Sequence, residues 1–321
     1  MVKICVVIPC YNEEKVLRET SKRLKTKMAS LMDSGVISGD SKVLYVDDRS
    51  GDSTWDIIEE LALADDLFSG IRLSRNRGQQ IALLAGLMEA REGFDAVITM
   101  DADLQDDIDK MDDFIENFVG GYDVVYGVRS SRAKDSFVKR FTAESFYKML
   151  KAMDVDIVFN HADYRLMSRR VLDGLAEHGE QTIFLRGLLP TIGYKTSIVE
   201  YERHERFAGE TKYPFGKMMR LAIDGITSSG TKPLKLIFRT GVCITIFSFA
   251  ALICLLVLSL LAVAVPGWVD AVAAVWLLGG ILLSAMGIMG EYLGKVYAEA
   301  KGRPRYFVSD VARGDSKRDK K

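Results

Sequence analysis

The chain is poor in the residues that staple small folds. Only four of its 321 residues are cysteine: Cys5 and Cys10 flank the first strand-like run, and Cys243 and Cys254 lie in an apolar stretch. No C-x-x-C occurs, so neither a disulfide framework nor a zinc ribbon is indicated. The cysteines read as small buried hydrophobes in a reducing compartment. His161, His178 and His204 are scattered and do not suggest a histidine metal site. Lys and Arg (43) balance Asp and Glu (44), which leaves no basic field to attract nucleic acid. Six prolines and 27 glycines exclude collagen-like and low-complexity classes, and 48% hydrophobic content argues against disorder. Neither G-x-x-x-x-G-K-[ST] nor G-x-G-x-x-G is present, so nucleotide binding would have to use other chemistry. Met1–Pro9 is a short apolar run with no small-residue cleavage site after it, so the N-terminal part is expected in the cytoplasm.

The chain divides instead into two contrasting regions. The first alternates strand-like and helix-like patterns. Lys3–Ile8 is a continuous run dominated by β-branched residues, as in a strand buried on both faces. Glu14–Leu31 carries Val16, Leu17, Leu24, Met28 and Leu31 at helical spacing. Lys42–Val46, Ile71–Leu73, Ala96–Met100 and Val124–Gly127 read as further strands. Helices are expected between them, from Asp52-Ser-Thr to about Ala64, over Gln79–Ala90 and over Ile108–Phe118. Such β-α-β units predict a mostly parallel sheet covered by helices, with ligands beyond the carboxyl ends of its strands. A basic amphipathic helix is expected over Ser136–Met153, a helix over Arg169–Leu175, a turn at Phe184-Leu-Arg-Gly and a strand over Ser197–Tyr201.

The second region is apolar. No charged residue occurs from Thr240 to Val269 or from Ala271 to Gly290. About 20 residues cross a bilayer core, so Leu236–Val265 and Ala271–Leu293 each suffice, joined by a tight turn. Lys232, Lys235 and Arg239 precede the pair and Lys295, Lys301, Arg303 and Arg305 follow it, which places both flanks in the cytoplasm. Phe215–Ile226 reads as an interfacial amphipathic helix just before the spans. Gly279, Gly280, Ser284, Gly287 and Gly290 offer small faces on which two copies could associate.

Three motifs at strand ends carry chemistry. In Met100-Asp-Ala-Asp-Leu-Gln-Asp, Asp101 and Asp103 project a compact oxygen site, with Gln105 adding another oxygen, suited to Mg²⁺ or Mn²⁺ shared with substrate phosphates. In Val46-Asp-Asp-Arg-Ser-Gly-Asp-Ser-Thr, Asp52 or Ser53 caps a helix, while Asp47 and Asp48 lie too far upstream for that role. A carboxylate there could accept from a base N–H or a ribose hydroxyl. In Pro9-Cys-Tyr-Asn-Glu-Glu, Glu13 and Glu14 could complement a helix dipole, and Tyr11 could stack on a nucleobase.

The ordered motifs PCYNEE, VDDRSGDST, RNRGQQIALLAG, MDADLQD, HADYRLMSRR, FLRGLLPTIGY and RFAGETKYPFGKM resemble the family 2 glycosyltransferases of GT-A fold. Within them the chain is similar to the polyprenyl-phosphate glycosyltransferases, the group of dolichyl-phosphate mannose synthases and bactoprenol glucosyltransferases, and the similarity covers nearly its whole length. The resemblance implies inverting transfer of a sugar from a nucleotide diphosphate onto a membrane polyprenyl phosphate. It places Pro9, Tyr11, Glu13 and Asp48 on the nucleoside. Asp101, Ala102 and Asp103 belong to the donor and metal site with Gln105, and Arg206 and Lys212 close over the diphosphate. Arg129, Arg140 and Ser145 would contact the lipid phosphate. The chain departs from the family at Arg49-Ser-Gly-Asp-Ser, where Gly-Ser-x-Asp-x is commoner. Asp107-Ile108 replaces Pro-Pro, and Tyr164 stands where Phe is frequent.

The chemistry is consistent with this. A phosphate acceptor is already an anion, so charge neutralisation matters more than a strong base. Catalysis then falls to Asp103 and to Asp163, the latter as base, as positioning residue, or as a plain structural partner of Arg165. The expected architecture is a cytoplasmic GT-A domain over 1–228, spans at 236–265 and 271–293, and a cytoplasmic tail at 294–321. This would be a two-span protein of the bacterial inner membrane. UDP-glucose is the expected donor, with GDP-mannose, UDP-N-acetylglucosamine or a UDP-aminoarabinose derivative as alternatives. The rivals are a processive synthase, which should carry the absent Q-x-x-R-W, and a silent nucleotide-sugar-binding partner of a flippase or polymerase.

Overall fold

The computed structural model describes residues 1–129, 161–179, 185–202 and 267–314. Strands β1 (Ile4–Cys10), β2 (Lys42–Asp47), β3 (Phe68–Leu73), β4 (Ala96–Thr99), β5 (Val124–Arg129), β6 (His161–Ser168), β7 (Thr196–Tyr201) and β8 (Val308–Ala312) form one sheet in the order β7-β5-β6-β4-β1-β2-β3-β8. Pairs β1–β2, β1–β4, β2–β3 and β5–β7 are parallel; β6, between β4 and β5, and β8, on β3, are antiparallel. The expected α/β architecture with a mostly parallel sheet is therefore present.

Alternation along the strands divides the core into two layers. Val6, Ile8, Val43 and Tyr45 face α1 (Leu17–Asp33), α2 (Thr54–Ala64) and α4 (Met111–Val119). Cys5, Val7, Leu44 and Val46 face α3 (Gln79–Ala90) and the later helices Arg169–Glu177 and Leu185–Ile192. Helix α1 buries Leu17, Leu24, Met28 and Leu31, the apolar positions that its spacing predicted. Helix α3 comes unusually close to the sheet at Gly86, where a Cβ would lie 2.4 Å from Val7 Cγ1 and 2.7 Å from Val46 Cγ2.

Two expectations need correction. The expected turn at Phe184-Leu-Arg-Gly gives way to a helix from Leu185 to Ile192, because Leu185, Leu188 and Leu189 together bury an apolar face against the second layer. The tail also contributes to the sheet. Gly70 pairs with Ala312, Ile71 with Val311 and Arg72 with Asp310, Arg313 contacts Glu89 at 2.6 Å, and Arg305 donates to the His178 carbonyl. The sheet thus draws on residues well beyond 228. Five tail residues carry no strand signal of their own; the open edge of β3 supplies it.

The expected amphipathic helix at 215–228 and first span at 236–265 lie outside the described residues, as do the Ser136–Met153 helix and the tail end from 315. The second expected span falls within a helix over Gly267–Ala300. Many of its side chains are outside the described set, and among the described residues no helix is long and apolar enough to cross a membrane. The two-span hairpin is thus not shown by the described residues.

Candidate active site

The parallel strands end at one edge of the sheet, and antiparallel β6 begins there, so the three motifs and Asp163 converge. After β1, Asn12 takes a left-handed backbone, φ 54°. Its amide donates to Ser50 Oγ (2.9 Å) and its Oδ1 accepts from the Gly51 amide (2.9 Å), tying this loop to the one after β2. Tyr11, beside it, is exposed, Pro9 is partly buried, and the Glu13 amide donates to Thr54 Oγ1 (2.8 Å). The Glu14 carboxylate accepts from the Ser53 amide (3.2 Å), so it complements the start of α2 rather than of its own helix. Of the two expected caps, Asp52 acts, accepting from the Thr54 amide and hydroxyl, and Ser53 makes no side-chain cap.

After β2, Asp47 is fully buried, 3.0 Å from Arg72 Nε, and accepts from the Ser50 amide (3.0 Å). Asp48 accepts from the amides of Arg77 (2.7 Å) and Gly78 (2.8 Å), one on each oxygen. Burial pushes its carboxyl up, with those amides working against the shift. Asp48 thus ties β2 to the loop entering α3.

After β4, the metal-motif loop is held from several sides. Gln79, opening α3, donates to Asp101 Oδ1 (2.9 Å), and the Ala102 carbonyl accepts from Thr20 (2.8 Å). Buried Leu104 takes a left-handed φ of 58°, and the Gln105 amide donates to Asp103 Oδ1 (3.2 Å). Asp106, buried, accepts from the Asp101 amide (3.3 Å) and from the Tyr201 hydroxyl (2.6 Å); Arg129, at the end of β5, donates to that hydroxyl (3.4 Å). Burial, then the charges of Asp106, Asp163 and Asp103, hold the Asp101 carboxyl well above its ordinary range. Burial works against the Arg129 charge, but Tyr201, Asp106 and Asp101 keep it ionised.

Asp163 is gripped by two guanidiniums. Arg165, fully buried, donates to Oδ1 (2.5 Å), and Arg186 forks onto Oδ1 (3.2 Å) and Oδ2 (3.1 Å). The expected Asp–Arg pair therefore exists, and Arg186 joins it. Two family departures also meet: the Tyr164 hydroxyl donates to the Asp107 carbonyl (2.9 Å), and the Asp107 side chain caps the short turn Ile108–Lys110.

Sequence reasoning overlooked Asp106, Tyr201, Gln79 and Arg186. Three sat inside quoted motifs, and only tertiary pairing could have singled them out. Arg140, Ser145, Arg206 and Lys212 lie outside the described residues. Among the described residues no group of three or more His, Cys, Asp or Glu side chains is placed to hold a metal ion. The donor chemistry still suits a hard divalent cation. The charges of Asp106, Asp163 and Asp103 bear on buried Asp101, whose carboxyl is held above its ordinary range, and a cation there would relieve that repulsion.

An acidic loop at the carboxyl edge of an open α/β sheet is where such folds bind their ligands, and comparison with known proteins identifies the family. Residues 5–175 match the model of glycosyl transferase family 2, and the chain belongs to that family. It is 42% identical over 305 residues to uncharacterized glycosyltransferase YkoT of Bacillus subtilis, covering 95% of this chain and 90% of that one. It is 37% identical over 311 residues to the prophage bactoprenol glucosyl transferase homolog of Escherichia coli, covering 96% and 99%. Among solved structures, mannosyl-3-phosphoglycerate synthase of Rubrobacter xylanophilus is similar at 16% identity and TM-score 0.49, over 74% of this chain and 75% of that one.

Proposed function

We propose that this glycosyltransferase moves glucose from UDP-glucose onto undecaprenyl phosphate with inversion, at the cytoplasmic face of the bacterial inner membrane. The reading rests on one observation: the loop at 101–106 is held at the carboxyl edge by Tyr201, which also receives Arg129, in a chain whose near-full-length relatives include proteins named bactoprenol glucosyl transferase. A divalent cation held by Asp101, Asp103 and Gln105 would neutralise the departing nucleoside diphosphate. The chain's own residues do the rest. Tyr201 and Asp106 hold the loop, and Asp48 fixes the nucleoside-side wall. Arg129 offers positive charge to an incoming phosphate. Asp163, both oxygens engaged by arginines, is poorly placed to take a proton and orients Arg186 instead.

Membrane attachment is part of the proposal. The uncharged lengths at 240–269 and 271–290 and their basic flanks support two spans. The helix over Gly267–Ala300 also leaves Val275, Leu282, Met286, Met289 and Leu293 exposed. Tethering confines enzyme and lipid to one surface. The test is transfer of radiolabelled sugar from UDP-glucose to undecaprenyl phosphate. Activity should vanish with EDTA and with Asp103→Ala, and metal-independent transfer would refute the proposed site.

A further inference from the structure

Among the described residues, three that are not glycine have a positive φ: Asn12, Arg49 (59°) and Leu104. Each sits in a different loop at the carboxyl edge, after β1, β2 and β4. A left-handed backbone is unfavourable for any L-residue with a Cβ. Two of the three have a local compensation: Asn12 bonds the Gly51 amide, and Leu104 is buried. Arg49 has neither. Its side chain is exposed and makes no hydrogen bond or ion pair with any described residue. A glycine would fit this backbone without strain, and no contact with a described residue favours arginine over it; a bound ligand would.

Position indicates what that is. Arg49 lies between Asp48, which is anchored to the α3 entrance, and Ser50, whose hydroxyl accepts from Asn12. That bond brings the loop carrying exposed Tyr11 alongside. An aromatic ring and a planar guanidinium thus stand on adjacent loops at the carboxyl edge of the sheet, beside Asp48. We infer that Arg49 is a donor-binding residue whose guanidinium packs on the base of a nucleoside diphosphate, with Tyr11 in the adjoining loop. The inference rests on the proposed function and deepens it. Arginine suits the task because its flat, weakly hydrated cation stacks on π-faces as lysine cannot.

The test titrates UDP and GDP, each with Mn²⁺, into the full-length detergent-solubilised chain and into Arg49→Gly, Arg49→Asn and Arg49→Lys. Gly and Asn suit the left-handed backbone, so those variants should melt no lower than the wild type. Their nucleotide affinity should nevertheless fall about fivefold to tenfold. Arg49→Lys should also lose affinity, since charge without a plane does not stack. Undiminished affinity in Arg49→Gly, with the wild type binding normally, would overturn the inference while leaving the proposed function intact. Failure of the wild type to bind either nucleotide would overturn both.

Discussion

Replacing Tyr201 with phenylalanine isolates the bond that secures the metal-motif loop. The ring should keep its edge-on packing against Tyr164, whose centroid lies 5.4 Å away, so the perturbation is confined to the hydroxyl. That hydroxyl donates to buried Asp106 at 2.6 Å and receives Arg129 at 3.4 Å. A hydrogen bond to a charged group contributes about 1.5–3 kcal/mol, and a buried carboxylate stripped of its donor bears the upper part of that range. At roughly 2–4 °C per kcal/mol, Tyr201→Phe should lower the melting midpoint by roughly 4–12 °C. Asp106 also holds the Asp101 amide, so the Mn²⁺ concentration needed for half-maximal transfer should rise together with the loss of stability. A double-mutant cycle with Asp106→Asn sharpens the test, because removing the charge should erase most of the Tyr201 effect. Additive effects, or a variant within about 0.5 kcal/mol of the wild type, would refute the reasoning.

Three further outcomes follow from the same geometry. Gly86→Ala should cost about 1–3 kcal/mol in denaturant unfolding, because its methyl would press into Val7 and Val46. Arg129→Ala should raise the KM for the lipid phosphate at least tenfold while leaving Mn²⁺-dependent UDP binding near its wild-type value; an unchanged acceptor KM would remove it from the acceptor site. The third concerns pH, measured in chelator. Between the ordinary carboxylate range and the raised value of Asp101, the folded chain keeps a proton that the unfolded chain has lost. Stability should therefore fall as pH rises through that window. Asp101→Asn abolishes this contribution, so its melting midpoint should gain on the wild type as pH climbs, and a pH-independent gap would count against the shift.

The edge where the chemistry sits was legible in the sequence because β-branched runs such as Ile4–Ile8 and Ala96–Thr99 announce strands buried on both faces, and the motifs follow them directly. The supports were not. Asp106 is one acid among several in its loop until Tyr201, 95 positions away, donates to it. Arg186 fell in a segment read as a turn, and its partner Asp163 is brought to it by a strand running against its neighbours. Local pattern shows where backbone turns and which face is apolar; it does not show which distant donor a buried carboxylate has found. The departures Asp107 and Tyr164 looked unrelated and proved to be two halves of one contact.

The eighth strand has a practical corollary. A shortened version ending near residue 228, trimmed for crystallisation, would leave Phe68–Leu73 as a bare ribbon whose unpaired amides and carbonyls recruit another molecule's backbone. Grafting Val308–Ala312 back through a flexible connector, or supplying it as a synthetic peptide, should keep such a fragment dispersed.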